Sequence, residues 1–206
     1  MSEAKKIRAP KQERSSLRKE KILETAYSLY SENGYFNTTT NDIAKAANIQ
    51  ISSLYSYFKD KDAILLELLE KYNTDFLDNF NFDYFYQVDI AKIEEISNLI
   101  KSILNILIKA HTDTIGFNKE LQALYYYKPE VTQLIDNHED KIRKTCLELL
   151  LASKNLITVS DFEATSIICV NLISSTVDTI VFKKTTLDSN RIIDGCIEAI
   201  IKYITR

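Results

Sequence analysis

Apolar residues return at helical spacing along most of the chain, and the interruptions of that pattern mark its elements. Leu17, Ile22, Ala26, Leu29 and Tyr30 share one inner face of a helix predicted over 16–33, and Gly34 stands where such a helix ends. A short second helix follows. Thr39 is its N-cap, with Asp42 three residues on at capping-box spacing, and Ile43, Ala44 and Ala47 form its apolar edge. Asn48 is a residue type that tolerates the left-handed conformation ending a helix tightly. A third helix begins near Gln50. Leu54 and Phe58 point inward, which leaves Gln50, Ser52, Ser53, Tyr55 and Tyr57 as a polar and aromatic outer face. Two helices joined by a tight turn, the second offering hydrogen-bonding side chains, is the helix-turn-helix arrangement suited to a DNA major groove.

Beyond it, Asp60 is a good N-cap for a fourth helix carrying Ile64, Leu65, Leu68, Leu69, Tyr72 and Phe76. Residues 79–88, NFNFDYFYQV, read as a connecting loop. From 89 to 111 the apolar positions cover more than one face of a helix, so it is buried on several sides. Gly116 is expected to break the chain before a short helix through Tyr125, and Pro129 fits the first turn of a helix reaching Ala152. Ser160 and Glu163 repeat the capping-box spacing ahead of a helix over 161–182, and a last helix spans 188–204. Both are too apolar to be covered on one side only. Gly195, in the middle of the last, is expected to permit close helix approach.

With 3 Gly, 2 Pro and no Trp in 206 residues, few chain breakers interrupt these helices, and the fold class is all-α. Stretches without charge are too short for a bilayer span and no apolar leader opens the chain, so a soluble, cytoplasmic protein is expected. The net charge of -3 divides unevenly. Residues 1–71 hold 12 basic and 10 acidic residues, +2, whereas 72–206 hold 14 and 19, -5. Eight of the basic residues lie within the first 21, and residues 1–15 are expected as a flexible basic arm suited to a phosphate backbone. Cys146, Cys169 and Cys196 are far apart in apolar patterns, with no CxxC, and read as core thiols. His111 and His138 have no acid or thiol at metal spacing. No phosphate loop, nucleophile elbow or paired-carboxylate site occurs, so neither an enzyme nor a cofactor is expected.

The run ILETAYSLYSENGYF from Ile22 to Phe36, followed by Thr38-Thr39, Ile43-Ala44, Ala47, Leu54-Tyr55, Tyr57-Phe58 and Lys61, resembles the N-terminal domain of the TetR (tetracycline repressor) family of bacterial transcription regulators. The resemblance covers about 17–70. The chain departs from it at Asn48, where the family usually has Gly, at Gln50, where it usually has Ser, and at Ser52, where it often has Gly. It implies a helix-turn-helix domain over 16–60 and an effector-binding and dimerisation domain over 61–206, with 61–78 as the connecting helix. It also implies that Thr39 and Thr40 lie beside the DNA backbone and that Tyr55, Tyr57 and Lys61 hold phosphates. Gln50, Ile51, Ser52 and Ser53 match the first turn of the recognition helix, where a glutamine pairs with adenine and an isoleucine covers a thymine methyl.

The same resemblance implies that the last two helices pair with a second copy as a four-helix bundle. The expected interface is Phe162, Ile173, Val177, Ile180, Ile193, Ile197, Ile200 and Ile201. It also implies a small-molecule effector. The candidate wall is apolar and aromatic, from Ile103, Leu107, Leu124, Tyr125, Tyr126, Tyr127, Ile168 and Leu172, with Asn105, His111, Asn171 and Ser175 as polar groups; the three consecutive tyrosines cannot all face one direction on a helix, so at most two of them line one cavity. The expected partners are therefore an operator duplex, a second copy and a lipophilic or aromatic ligand, with no membrane. The alternative is a DNA-bound adaptor whose C-terminal domain recruits a protein and binds no small molecule.

Overall fold

A computed structural model describes residues 11–79, 92–183 and 185–205, side chains at 11–12 and 75–79 excepted. The described residues form nine helices and no strand. They are α1 (Lys11–Asn33), α2 (Thr40–Ala46), α3 (Ile51–Tyr55), α4 (Lys61–Asn79), α5 (Ile93–Asp113), α6 (Ile115–Tyr127), α7 (Pro129–Ala152), α8 (Phe162–Val181) and α9 (Ser189–Ile204). The chain divides into two compact units, Met1–Lys71 and Tyr72–Arg206. Residues 1–10 of the expected basic arm, and the expected loop from residue 80 on, lie outside the described residues. Helix α1 begins five residues before its expected start, because residues 11–15 contain neither Gly nor Pro and are good helix formers.

The N-terminal unit is held by Ile22, Ala26 and Tyr30 of α1, Ile43 and Ala44 of α2, Leu54 of α3, and Ile64 and Leu65 of α4, all buried. Lys19 pairs with Glu67 at 2.5 Å and Lys71 with Glu20 at 2.9 Å, tying α1 to the first part of α4 across its surface.

In the C-terminal unit, α8 packs on α7, α9 and α5 around one core. Ile96, Ile100 and Leu104 meet Cys169 and Val177 of α8 and Ile193, Cys196, Ile200 and Ile204 of α9 there. Several expectations change. The α5–α6 break falls at Thr114, and Gly116 lies inside α6. Thr114 accepts from Asn118 Nδ2 at 2.7 Å while Tyr72 donates to Asn118 Oδ1 at 3.1 Å, so a buried amide is satisfied at the corner instead of a glycine turning it. The N-cap of α8 is Asp161, not Ser160: its carboxylate accepts from the Ala164 amide at 2.9 Å, where a negative charge also meets the helix dipole. A Cβ placed on Gly195 meets no atom within 4 Å, so this glycine serves no close approach within the chain.

Val177, Ile193 and Ile200, expected at an interface, are buried inside the unit, because the face of α8 and α9 they occupy is the one that meets α5. Phe162, Ile173, Ile180, Ile197 and Ile201 are half-buried against the same core. The apolar residues that α8 leaves outside are Ile167 and Ile168, 45% and 41% exposed. Helix α8 is also long and apolar enough, by length and composition, to cross a membrane, yet only 22% of its most apolar window is buried within the chain.

Burial holds both histidines of this unit towards the neutral form. It lowers His111, against the pull of Asp178, and it pushes His138 down to about 4 from 6.5, with Lys141 acting in the same direction. The unfolded chain takes up these protons first, so their neutral burial is fully tolerated above pH 6.5 and costs stability as pH falls towards about 4. His138→Gln should flatten that fall. Urea denaturation of parent and variant at about pH 7 and about pH 5 checks this, and an equal loss in both would refute it.

Candidate nucleic-acid interface

The outer face of α2 and α3 is built from local backbone chemistry. Thr39 caps α2 in a full capping box: its hydroxyl accepts from the Asp42 amide at 3.2 Å, and its own amide donates to Asp42 Oδ2 at 2.9 Å. The Thr39 hydroxyl lies 2.6 Å from the same carboxylate oxygen, and these bonds hold Asp42 below its ordinary carboxylate value. At the other end Asn48 has φ 55°, the only positive φ outside glycine among the described residues. The amide of Asn48 donates to Lys45 O at 3.1 Å and that of Ile49 to Ala44 O at 3.0 Å. That pair of bonds is a Schellman closure, which fixes the direction in which the chain leaves α2 and enters α3.

Gln50 is the N-cap of α3, with an extended backbone and no side-chain cap bond, so its exposed amide is not used by the helix. Ser52 is exposed, and Ile51 and Ser53 are half-buried. The helix is anchored from beneath by Leu54, fully buried, and by Phe58 just beyond it. Tyr55, 51% exposed, brings its hydroxyl within 3.0 Å of Thr40 Oγ1, linking the end of α3 to the start of α2 on the outer side. The hydroxyl of Tyr57 accepts from Ser15 of α1 at 3.4 Å.

Lys61 departs from its expected position. Its ammonium donates to the carbonyls of Tyr35 at 2.7 Å and Thr38 at 2.9 Å, and lies 4.1 Å from the centroid of the Tyr35 ring. The Tyr35 hydroxyl in turn donates to Asp62, and burial together with that bond raises Tyr35 far above the ordinary phenol value. Periodicity marks Tyr35 as a packing residue, but nothing in it marks this brace across 23 and 26 positions. Phe36, Thr38, Thr39, Thr40, Tyr55, Lys59, Asp60 and Lys61 line an open groove of about 340 Å³ on this face.

The residues expected to form a ligand wall are less coherent. Leu124 is buried, and Ile103, Leu107, His111 and Leu172 are half-buried. Tyr126 and Tyr127 are 84% and 75% exposed, and Asn105, Ile168, Asn171 and Ser175 also face outward, so these six do not line an enclosed wall within the chain. Successive residues on α6 point about 100° apart, which sends two of the three tyrosines away from the core that Leu124 occupies. Tyr125 is half-buried and donates to Asp136 at 2.8 Å. His111 Nδ1 is buried without a hydrogen-bond partner, and the His111 ring meets the Phe182 ring edge-on, their centroids 6.1 Å apart.

A capped helix, a Schellman turn and a short outward-facing helix with an unused N-cap amide define a helix-turn-helix DNA-binding unit attached to an all-helical C-terminal unit. A family model for bacterial regulatory proteins of the tetR family matches residues 22–68. The negative transcriptional regulator IcaR of the biofilm operon icaADBC in Staphylococcus epidermidis is 34% identical over 149 residues, 64% of this chain and 80% of that one. The IcaR of Staphylococcus aureus strain Newman is 50% identical over 46 residues, 22% of this chain and 25% of its own. A solved TetR-family regulator from Mesorhizobium loti superposes with a TM-score of 0.76 at 14% identity over 94% of this chain and 99% of that one, a likeness of fold. The chain belongs to the tetR family: it is a DNA-binding transcriptional regulator, and not an enzyme.

The left-handed Asn48 gives a direct test of the turn. Asn48→Gly should preserve stability, whereas Asn48→Val should cost about 1–2 kcal/mol, because a β-branched side chain is strained at that φ. Thermal melting compares them, and equal stabilities would show that the turn does not depend on this conformation.

Proposed function

We propose that the protein is a homodimeric repressor that binds a near-palindromic operator and is released from it by a small molecule held in the C-terminal unit. The observation that carries the DNA part is Gln50: an exposed amide, free of any capping bond, on the first turn of a helix seated on Leu54. In this reading Gln50, Ile51, Ser52 and Ser53 meet base edges, while Thr39, Thr40, Tyr55 and Tyr57 stand beside phosphates. Repression is supported by the similarity to IcaR, described as a negative regulator.

The dimer is supported by α8, whose apolar surface exceeds what its own chain covers. Ile167 and Ile168, with Asn171 and Ser175 on the same side, replace Val177, Ile193 and Ile200 as the outward residues of the proposed interface. Gly195 and Ala199 on the exposed side of α9 leave room for a neighbouring helix there. In such a dimer the two α3 helices would lie about 34–36 Å apart, or a multiple of that, to reach successive turns of one duplex face. The effector part rests on the buried, unpartnered His111 Nδ1 beside Phe182 and the half-buried Leu107 and Leu172. A ligand there must favour the DNA-incompetent state, and DNA must then weaken ligand binding by the same factor.

The decisive experiment is binding to a duplex carrying the chain's own upstream region, against a random duplex, with and without candidate lipophilic ligands. Gln50→Ala should lose about 1–3 kcal/mol of preference at particular base pairs and little affinity for random DNA. Equal affinity of the parent for both duplexes would reject operator recognition, and ligand affinities unchanged by DNA would reject induction. For the dimer, Ile168→Glu should give a folded monomer in sedimentation, whereas Val177→Asp should unfold the C-terminal unit by burying an unpaired charge. A parent that sediments as a folded monomer at micromolar concentration would refute the interface.

A further inference from the structure

Two lysines line the groove beside α2 and α3, and their surroundings differ. The ammonium of Lys61 is taken up inside the unit. It donates to two carbonyls of the turn between α1 and α2, Tyr35 O at 2.7 Å and Thr38 O at 2.9 Å, and stands 4.1 Å from the Tyr35 ring centroid. Charged donors to carbonyls at such distances are strong bonds, and a cation over a buried ring adds to them. Thr38 itself is buried, its hydroxyl donating to Gly34 O at 2.9 Å. Moving the Lys61 ammonium out to a phosphate would give up the ring and both carbonyls at once.

Lys59 is placed otherwise. Its side chain is 82% exposed, and its ammonium stands 3.8 Å from Asp60 Oδ2. An exposed pair at that distance is worth little and is readily exchanged. Asp60 also has other work: its Oδ1 accepts from the Ala63 amide at 2.8 Å as the cap of α4. Lys59 lies on the rim of the groove with the Thr40 and Tyr55 hydroxyls, groups of the kind that hold a phosphodiester.

We infer that Lys59, and not Lys61, is the lysine that neutralises a DNA phosphate at this groove, and that Lys61 is a positioning residue. Lys61 holds the turn carbonyls and thereby sets where Thr39 and Thr40 stand at the start of α2. This assignment rests on the DNA-binding reading above and divides the work of its phosphate side between two cations.

The two roles differ in their dependence on salt. A lysine that neutralises a phosphate releases a counterion, and its loss lowers the slope of log K against log[salt] by about 0.9 for each protomer that touches the duplex. A positioning lysine alters K and leaves the slope alone. Fluorescence anisotropy with a labelled random-sequence duplex, between roughly 50 and 200 mM KCl, reads both quantities without knowledge of the operator. Lys59→Met should flatten the slope by that amount and leave the melting temperature unchanged, and Lys59→Arg should restore the slope. Lys61→Met should give a line parallel to the parent's but weaker, with a lower melting temperature. Lys61→Arg should keep the parent slope without recovering its affinity, because a planar guanidinium does not reproduce an ammonium between two carbonyls and a ring. A flattened slope for Lys61→Met, or an unchanged one for Lys59→Met, overturns the assignment. Full recovery of affinity in Lys61→Arg overturns the positioning role. If Lys61→Met does not fold, Lys61→Arg and the two Lys59 variants still decide. A parent that does not bind the duplex defeats the DNA reading itself, which none of the variant outcomes does.

Discussion

The left-handed closure at Asn48 is the constraint on which the N-terminal unit turns. Two amides, those of Asn48 and Ile49, reach back to Lys45 and Ala44, and the chain leaves α2 in one direction only. With that direction set, Leu54 falls into the core shared by α1, α2 and α4, and the opposite face of α3 points away from it. A five-residue helix cannot hold itself in water, because its nucleation cost exceeds what so few bonds return. Its orientation comes from the turn before it and the leucine beneath it. The free amide of Gln50 is the by-product: an N-cap residue whose side chain makes no capping bond keeps that side chain free to bond elsewhere.

The readable parts of this fold were those whose cause is local. The capping box of Thr39 and Asp42, the left-handed Asn48 and the inward Leu54 each follow from residues within four positions of one another, and each stands as its spacing implies. The brace of Lys61 was not legible, since it needs the carbonyls of Tyr35 and Thr38, which only the folded turn brings near. At the α5–α6 corner a glycine suggests a break at Gly116, while the corner itself is set by Thr114 and Asn118 with Tyr72 some 40 residues earlier. At α8 the capping-box spacing points to Ser160, but it is the Asp161 carboxylate that reaches the Ala164 amide.

The C-terminal helices show a different limit. Periodicity identifies a helix by finding its apolar face, and α8 is apolar on more than one. Apolar spacing alone does not distinguish the side that meets α5 and α9 from the side left over. Packing decides: Val177 and Cys169 go inward, Ile167 and Ile168 do not. The ligand wall meets the same limit: helix geometry allows at most two of Tyr125, Tyr126 and Tyr127 on one wall without saying which, and packing leaves both Tyr126 and Tyr127 outside.

The thiols of α7, α8 and α9 carry a consequence of their own. Burial pushes Cys146 up to about 12 and Cys169 up to about 11, and raises Cys196 as well, each of the first two also feeling the next thiol in the series. Alkylating reagents and peroxide attack the thiolate, so Cys169 and Cys196, both buried, react slowly in the closed unit, whereas Cys146 is only half-buried. The two buried thiols react faster when the helices part. The rate at which a maleimide consumes them is therefore a clock for breathing of the C-terminal unit, built into the chain and needing no foreign label.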